Sequence, residues 1–210
     1  EDALTAARAA NMALFRELFP GEVVTTGQCI SVSGVTLLVI MLEGAGRLYE
    51  TLGDNRAFQI INDSLKTLEK HIRQDGGALI KSLGEGAVAS FPNSGAAVRA
   101  AVNLAADLKK AKLRQAVNEN ASLSFRLGIH HGPAMATTIN DHLDYFGVTV
   151  HQVMKLLSLG GPGELIISPT VAADGEVAAL LRQQTGSCRI FQADLPCYPN
   201  AVLHAIQLDQ

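Results

Sequence analysis

The order of the periodic stretches between Val35 and Gly132 constrains the fold of this 210-residue chain more than any other feature. An apolar strand pattern comes first, followed by a helix pattern from about Leu48 to Arg73, in which apolar residues recur three and four positions apart. Two short strand patterns flank the tight turn Gly84-Glu85-Gly86, and a second helix pattern, roughly Ser94 to Lys112, precedes another strand. This is the ferredoxin-like order, so we predict one antiparallel sheet with two helices on one face.

The stretches outside this core predict further elements. Alanine-rich residues 2–18 predict a helix, which Pro20-Gly21 ends. After the core, the sequence predicts a strand over AMATTI, a short helix near Val148–Leu159, a strand over ELIIS and two strands within residues 186–208. We therefore expect an N-terminal helix and linker, residues 1–21, and one α+β domain, residues 22–210. Its ferredoxin-like βαββαβ core carries a C-terminal β extension.

Charge and cysteine usage exclude several classes of protein. A net charge of -3 gives no electrostatic footprint for nucleic acid or for an anionic membrane. The longest apolar run, around Val35 to Leu42, is far too short to span a bilayer. The three cysteines, Cys29, Cys188 and Cys197, fit neither a disulfide framework nor a zinc pattern. They favour a reducing, cytoplasmic setting.

The stretch LVIMLEGAGRLYE, residues 38–50, combines a strand, a small-residue turn and the start of a helix. Such a turn points backbone N–H groups at a phosphate, which makes Gly44 and Ala45 candidate nucleotide-binding residues. However, the strand ends in the thioether of Met41, and Glu43 places a negative charge where a phosphate would lie.

Four stretches in this order together resemble the catalytic domain of class III adenylate and guanylate cyclases. They are VTLLVIMLEGAGRLYE, GGALIKSLGEGAVASFP, LSFRLGIHHGP and LDYFGVTVHQVMKLLSLGGPGELIIS, and they cover about residues 34 to 175. The tract DYFG resembles the bacterial branch of the family. The resemblance implies a homodimer with sites at its interface, in which two aspartates hold two divalent metal ions. From the partner chain, a lysine and an aspartate or threonine read the base, an asparagine orients the ribose, and an arginine stabilises the transition state.

Most of these positions are substituted in this sequence. The two metal aspartates correspond to Met41 and Glu85. A thioether is soft and uncharged, so Met41 cannot replace a carboxylate on Mg²⁺, and Glu85 is at best a residual metal ligand. The resemblance therefore implies Mg²⁺ or Mn²⁺ only in company with a bound nucleotide triphosphate.

The base, ribose and transition-state positions are altered to different extents. The resemblance keeps the base-reading lysine as Lys81 and assigns its companion to Val148, which cannot accept a hydrogen bond. We therefore expect Lys81 to lack this companion and base selectivity to collapse. The ribose and transition-state positions are His151 and Lys155, four residues apart on one helix face.

Three functional hypotheses follow from these substitutions. The chain is a catalytically impaired or inactive cyclase homology domain that dimerises and regulates; or a cyclase of low activity that uses Glu85, Lys81 and Lys155; or one half of a heterodimer with an intact cyclase. Neighbouring carboxylates sometimes fill such gaps, and Asp141 and Asp144 are the candidates. The uncovered second face of the sheet requires either a partner subunit or the elements after residue 133. We expect a two-fold dimer through the uncovered sheet edge and the helix near residue 150.

Overall fold

A mixed sheet of eight strands forms the centre of the domain in the computed structural model, which describes residues 28–115, 123–139, 142–183 and 187–208. The predicted helix over residues 2–18 and the domain boundary after residue 21 lie outside these ranges. The strands are β1 (Cys29–Glu43), β2 (Ala78–Ser82), β3 (Gly86–Phe91), β4 (Ser124–Ile139), β5 (His142–Phe146), β6 (Glu164–Ile167), β7 (Cys188–Leu195) and β8 (Tyr198–Gln207).

Six helices accompany these strands within the described ranges, and the sheet order is β2-β3-β1-β4-β6-β8-β7, with β5 paired to β4. The pairing of β4 with β6 is parallel and the other pairings are antiparallel. The described part of the chain contains no helix with the length and apolar character that crossing a bilayer requires. The helices are α1 (Ala45–Leu52), α2 (Asp54–Gln74), α3 (Ser94–Gln115), α4 (Val148–Leu159), α5 (Pro169–Ala172) and α6 (Gly175–Gln183).

The single helix predicted from Leu48 to Arg73 is wrong, because Gly53 divides it into α1 and α2. Gly53 has a φ of 74°, in the left-handed region that favours glycine. The apolar pattern of α2 is also shifted by one residue at its start. Ala57 is fully buried there, whereas Phe58 is 60% exposed.

The two strands predicted over LSFRLGIHHG and AMATTI form one continuous strand, β4. The Gly132-Pro133 step does not end this strand, because β1 bulges at the same level: Val35 pairs with Gly132 and Val32 with Ala134. A proline lacks a backbone N–H group and is therefore tolerated opposite a bulge. Strand β5 and helices α5 and α6 were not predicted.

Each face of the sheet has a buried apolar cluster. The first cluster lies between the sheet and helices α1, α2, α3 and α6. The second cluster joins Leu37 and Val39 of β1 to Tyr145 of β5 and to Val153 and Leu157 of α4. Of the two alternatives for covering the second face, the structure therefore confirms the elements that follow residue 133.

His130 is a buried polar side chain on the face of β4 that α4 covers. It is 6% exposed, and its Nδ1 atom has no hydrogen-bond partner among the described residues. Burial lowers the pKa of His130 to about 4, while a hydrogen bond to Gln152 of α4 acts in the opposite direction. His130 is therefore neutral in the folded domain at neutral pH.

We expect acid to destabilise the domain through His130. In the unfolded chain the imidazole takes up a proton near its ordinary pKa of 6.5, but the folded domain does so only near 4. Between these values the unfolded state binds more protons, so stability falls as the pH falls, by up to about 3 kcal/mol. Chemical denaturation at pH 7 and pH 4.5 should show a smaller acid loss in His130→Gln than in His151→Gln, a control on the exposed side of α4. Equal losses in the two variants would contradict this role of His130.

Candidate functional site

The end of β1 and the β2–β3 turn lie side by side, as the resemblance implies for the two metal positions. Met41 pairs with Gly86 in the sheet, and the N–H of Leu42 donates to the carbonyl oxygen of Glu85 over 2.9 Å. A Cβ atom at position 86 would lie 2.3 Å from the Ile40 carbonyl oxygen and 3.1 Å from Sδ of Met41. Glycine at this position therefore allows the hairpin to approach β1 closely.

The residues at this strand end do not fit a divalent metal ion. Met41 is half-buried and packs against the second apolar cluster, and Glu85 is exposed at the tip of the turn. Within the described ranges, no group of three or more His, Cys, Asp or Glu side chains is arranged to hold a metal ion. Mg²⁺ requires several oxygen ligands in octahedral geometry, and a thioether is not a substitute.

Arg126 of β4 is a residue of this strand end that sequence reasoning missed. It pairs with Met41 across the β1–β4 ladder, and its Nη2 lies 2.5 Å from Oε1 of Glu43. The charge of Glu43 is therefore matched by a cation. In the sequence, Arg126 is marked only as a charged residue within a predicted strand. That pattern does not reveal which residues lie opposite it.

The turn between β1 and α1 retains the backbone geometry of an anion site. Gly44 has a φ of 91°, and no side chain caps the first turn of α1. Ala45 is buried, and Gly46 is exposed. Uncapped N–H groups at a helix start carry a partial positive charge. The assignment of Gly44 and Ala45 to nucleotide binding stays a prediction.

Lys81 contacts a carboxylate, Asp144, which the resemblance does not assign to it as a companion. Its Nζ atom lies 3.0 and 2.9 Å from the two carboxylate oxygens of Asp144, and 5.7 Å from the ring centre of Phe146. The N–H of Tyr145 also donates to Asp144. Strand β5 carries Asp144 across to β2, an approach that sequence periodicity does not predict. The acceptor beside Lys81 is thus Asp144, while Val148 is 44% exposed at the first residue of α4.

The two remaining candidates lie on α4. His151 and Lys155 are both exposed and lie one turn apart on this helix, which packs on β1 and β4. The structure thus brings Met41 to Glu85 and Lys81 to Asp144, and presents His151 and Lys155 to solvent. Asp141, the other carboxylate considered, lies outside the described residues.

Comparisons with known proteins agree with this architecture. The adenylyl cyclase CyaB from P. aeruginosa superposes with a TM-score of 0.68 at 19% identity, over 85% of this chain and 95% of that one. An adenylate/guanylate cyclase/hydrolase from Silicibacter pomeroyi gives 0.66 at 18% identity, over 87% and 100%. The catalytic core of a rhodopsin-guanylyl cyclase with converted specificity, in complex with ATPαS, gives 0.66 at 14% identity, over 85% and 98%.

No curated protein matched the chain. The model of one protein family, described as the adenylate and guanylate cyclase catalytic domain, matches residues 29–189. This match covers strands β1 to β6, the strand end at Met41 and the helix that carries His151 and Lys155. The chain therefore belongs to the adenylate and guanylate cyclase catalytic domain family.

Proposed function

We propose that this chain is a bacterial cyclase homology domain with impaired or absent catalysis. It acts as a dimerising regulatory module in cytoplasmic signalling. The observation that carries this proposal is the end of β1, where Met41 pairs with Gly86 of β3 on one side and with Arg126 of β4 on the other. A catalytic strand end in this family needs two carboxylates that hold metal ions. Here a sulfur, an Arg–Glu ion pair and one exposed glutamate take their place.

The base-reading half of the site supports retained nucleotide binding. Lys81 supplies a cationic donor and Asp144 an anionic acceptor, and both side chains are partly exposed. A purine offers one donor and one acceptor side by side on its Watson–Crick edge, so this pair matches a purine nucleotide triphosphate in chemistry. The neighbouring ring of Phe146 is 41% exposed and offers an apolar surface to a base.

The retention of this half favours a second candidate, the heterodimer subunit. A chain that keeps Lys81 and Asp144 but lacks metal ligands supplies one side of an interfacial site, and an intact partner supplies the other. His151 and Lys155 belong to the same side, and Lys155 keeps a positive charge, although it lacks the planar fork of arginine. Homodimer and heterodimer share the surface described next.

The dimer proposal is supported by exposed apolar residues on two elements. One is the pairing of residues 135–139 of β4 with β5, which we call the β4–β5 arm. The other is α4. Met135 pairs with Phe146 across the arm, and both are exposed, as is Ile139 at its end. Val148 and Met154 of α4 are large apolar residues that are exposed as well. Large exposed apolar residues that cluster on one face are typical of a protein–protein interface.

The catalytic part of the proposal is tested by product formation. We expect concentrated protein with ATP or GTP, in Mg²⁺ or Mn²⁺, to give no cyclic nucleotide above a buffer blank by mass spectrometry. Turnover that disappears in Glu85→Ala would contradict the proposal and favour the low-activity cyclase. Adding Met41→Asp and Glu85→Asp to a His151→Asn/Lys155→Arg variant should create activity, because the metal, ribose and transition-state positions are then restored. The His151→Asn/Lys155→Arg variant alone should stay inactive and serves as the matched control.

The base-reading part predicts a selective loss of nucleotide affinity. Lys81→Gln and Asp144→Asn should each weaken ATP or GTP binding about tenfold or more, because each removes one charge-assisted hydrogen bond. Inorganic tripolyphosphate, which has no base, should bind these variants and the wild type equally in calorimetric titrations. Lys66→Gln removes the same charge from the surface of α2 and should change neither affinity. An equal loss for nucleotide and tripolyphosphate would contradict base reading.

The dimer part predicts an effect of charge on the arm. Met135→Lys should shift the chain from dimer to monomer in sedimentation at micromolar concentration, because a lysine cannot be buried there without a partner. Ile190→Lys, at an apolar position of β7 that is 61% exposed, is the matched control and should leave the dimer intact. A wild-type chain that sediments only as a monomer, with or without nucleotide, would show the dimer proposal to be wrong.

A further inference from the structure

Glu43 and Arg126 form an ion pair on the face of the sheet that α4 covers. Side chains opposite each other in neighbouring strands share a face, and so do residues two positions apart in one strand. Met41, Glu43 and Arg126 therefore point to the same side of the sheet. The two charged side chains are about equally accessible, at 28% exposed for Glu43 and 29% for Arg126.

The guanidinium of Arg126 has more donors than its surroundings satisfy. A guanidinium carries five N–H donors and stays charged at any ordinary pH. Glu43 lies against Nη2, while Nε is buried without a hydrogen-bond partner among the described residues. One glutamate oxygen therefore accepts from only part of the guanidinium, whereas the several oxygens of a phosphate can accept from more of its N–H groups.

We propose that Glu43 is an internal competitor that occupies Arg126 and holds off the anionic groups of a ligand at this strand end. The ligand class is a polyphosphate, either the phosphate chain of a nucleotide or an inorganic polyphosphate. This inference rests on the proposed function, because it takes the β1 end to be the phosphate side of the nucleotide site. A phosphate oxygen that approaches Arg126 is repelled by the Glu43 carboxylate, so the two anions compete for the guanidinium.

The competition has a specific consequence for metal dependence. In this chain Met41 cannot bring a cation to the strand end, so Arg126 is the cation that the sheet itself provides there. With Glu43 in place, its charge is cancelled, and polyphosphate binding without metal is weak. Removing the carboxylate releases a guanidinium that binds phosphate oxygens directly.

The test is a calorimetric titration of the full chain with inorganic tripolyphosphate in EDTA. We expect Glu43→Gln to bind at least tenfold more tightly than the wild type. Glu50→Gln, an exposed glutamate of α1, changes the net charge equally and should improve binding by less than threefold. The double variant Glu43→Gln/Arg126→Gln should lose the whole gain. A melting curve of each variant checks folding, and Glu43→Ser serves as a second neutral substitution if Glu43→Gln is unfolded.

Equal affinities for the Glu43→Gln and Glu50→Gln variants would overturn the inference and leave the ion pair a purely structural contact. A gain that persists in the double variant would overturn it as well, because Arg126 would then not be the binding cation. These failures are distinct from a failure of the proposed function. The effect of Lys81→Gln on ATP affinity and the absence of product formation are measured in chains that keep Glu43, so their outcomes are separate from this test.

Discussion

Strand β1 is hydrogen-bonded on both sides, to β3 and to β4, and the rest of the structure depends on this central position. Its residues from Leu37 to Ile40 are all at most 1% exposed. Because side chains alternate along a strand, Leu38 and Ile40 enter the first apolar cluster while Leu37 and Val39 enter the second. One backbone register therefore determines both cores. A slip of one residue would exchange every side chain between them.

The same alternation continues into the candidate site. Met41 and Glu43 extend the set of side chains that faces α4, and the antiparallel neighbours of Met41 are Gly86 and Arg126. The candidate site of this chain thus has two parts. At the end of β1, the thioether of Met41 is not a ligand that a magnesium ion prefers. At β2 and β5, Lys81 and Asp144 are in direct contact.

Both cations of the site are matched internally in the isolated chain. Lys81 lies against Asp144, and Arg126 lies against Glu43. Partly exposed ion pairs of this kind contribute little to stability, because solvent screens them. Their positions at a strand end and at an arm of the sheet are where a ligand would compete for them. Under the proposed function, a ligand would bring a base edge to Lys81 and a phosphate to Arg126.

The sequence by itself determined the order and type of most elements, and it predicted which residues occupy the catalytic positions of the family. Periodicity identified β2, β3, α3, α4 and the C-terminal strands. Apolar residues that face a core recur every second position in a strand and every three or four positions in a helix. The assignment of Met41 to a metal position rests on the resemblance to the family and stays a prediction. Local patterns did not reveal the break at Gly53 or the continuity of β4 through Pro133, since each depends on how neighbouring segments pack.

Only the tertiary structure decided which charged residues meet. Lys81 and Asp144 are 63 residues apart in the sequence. They meet because β5 packs beside β2. Arg126 reaches Glu43 because of the β1–β4 register. The sequence interpretation did not pair these residues, and it did not place Asp144 beside Lys81. Periodicity reports the direction in which each side chain points from its own element. Which element lies opposite is decided by backbone hydrogen bonds between distant segments, and this determines the electrostatics of the site.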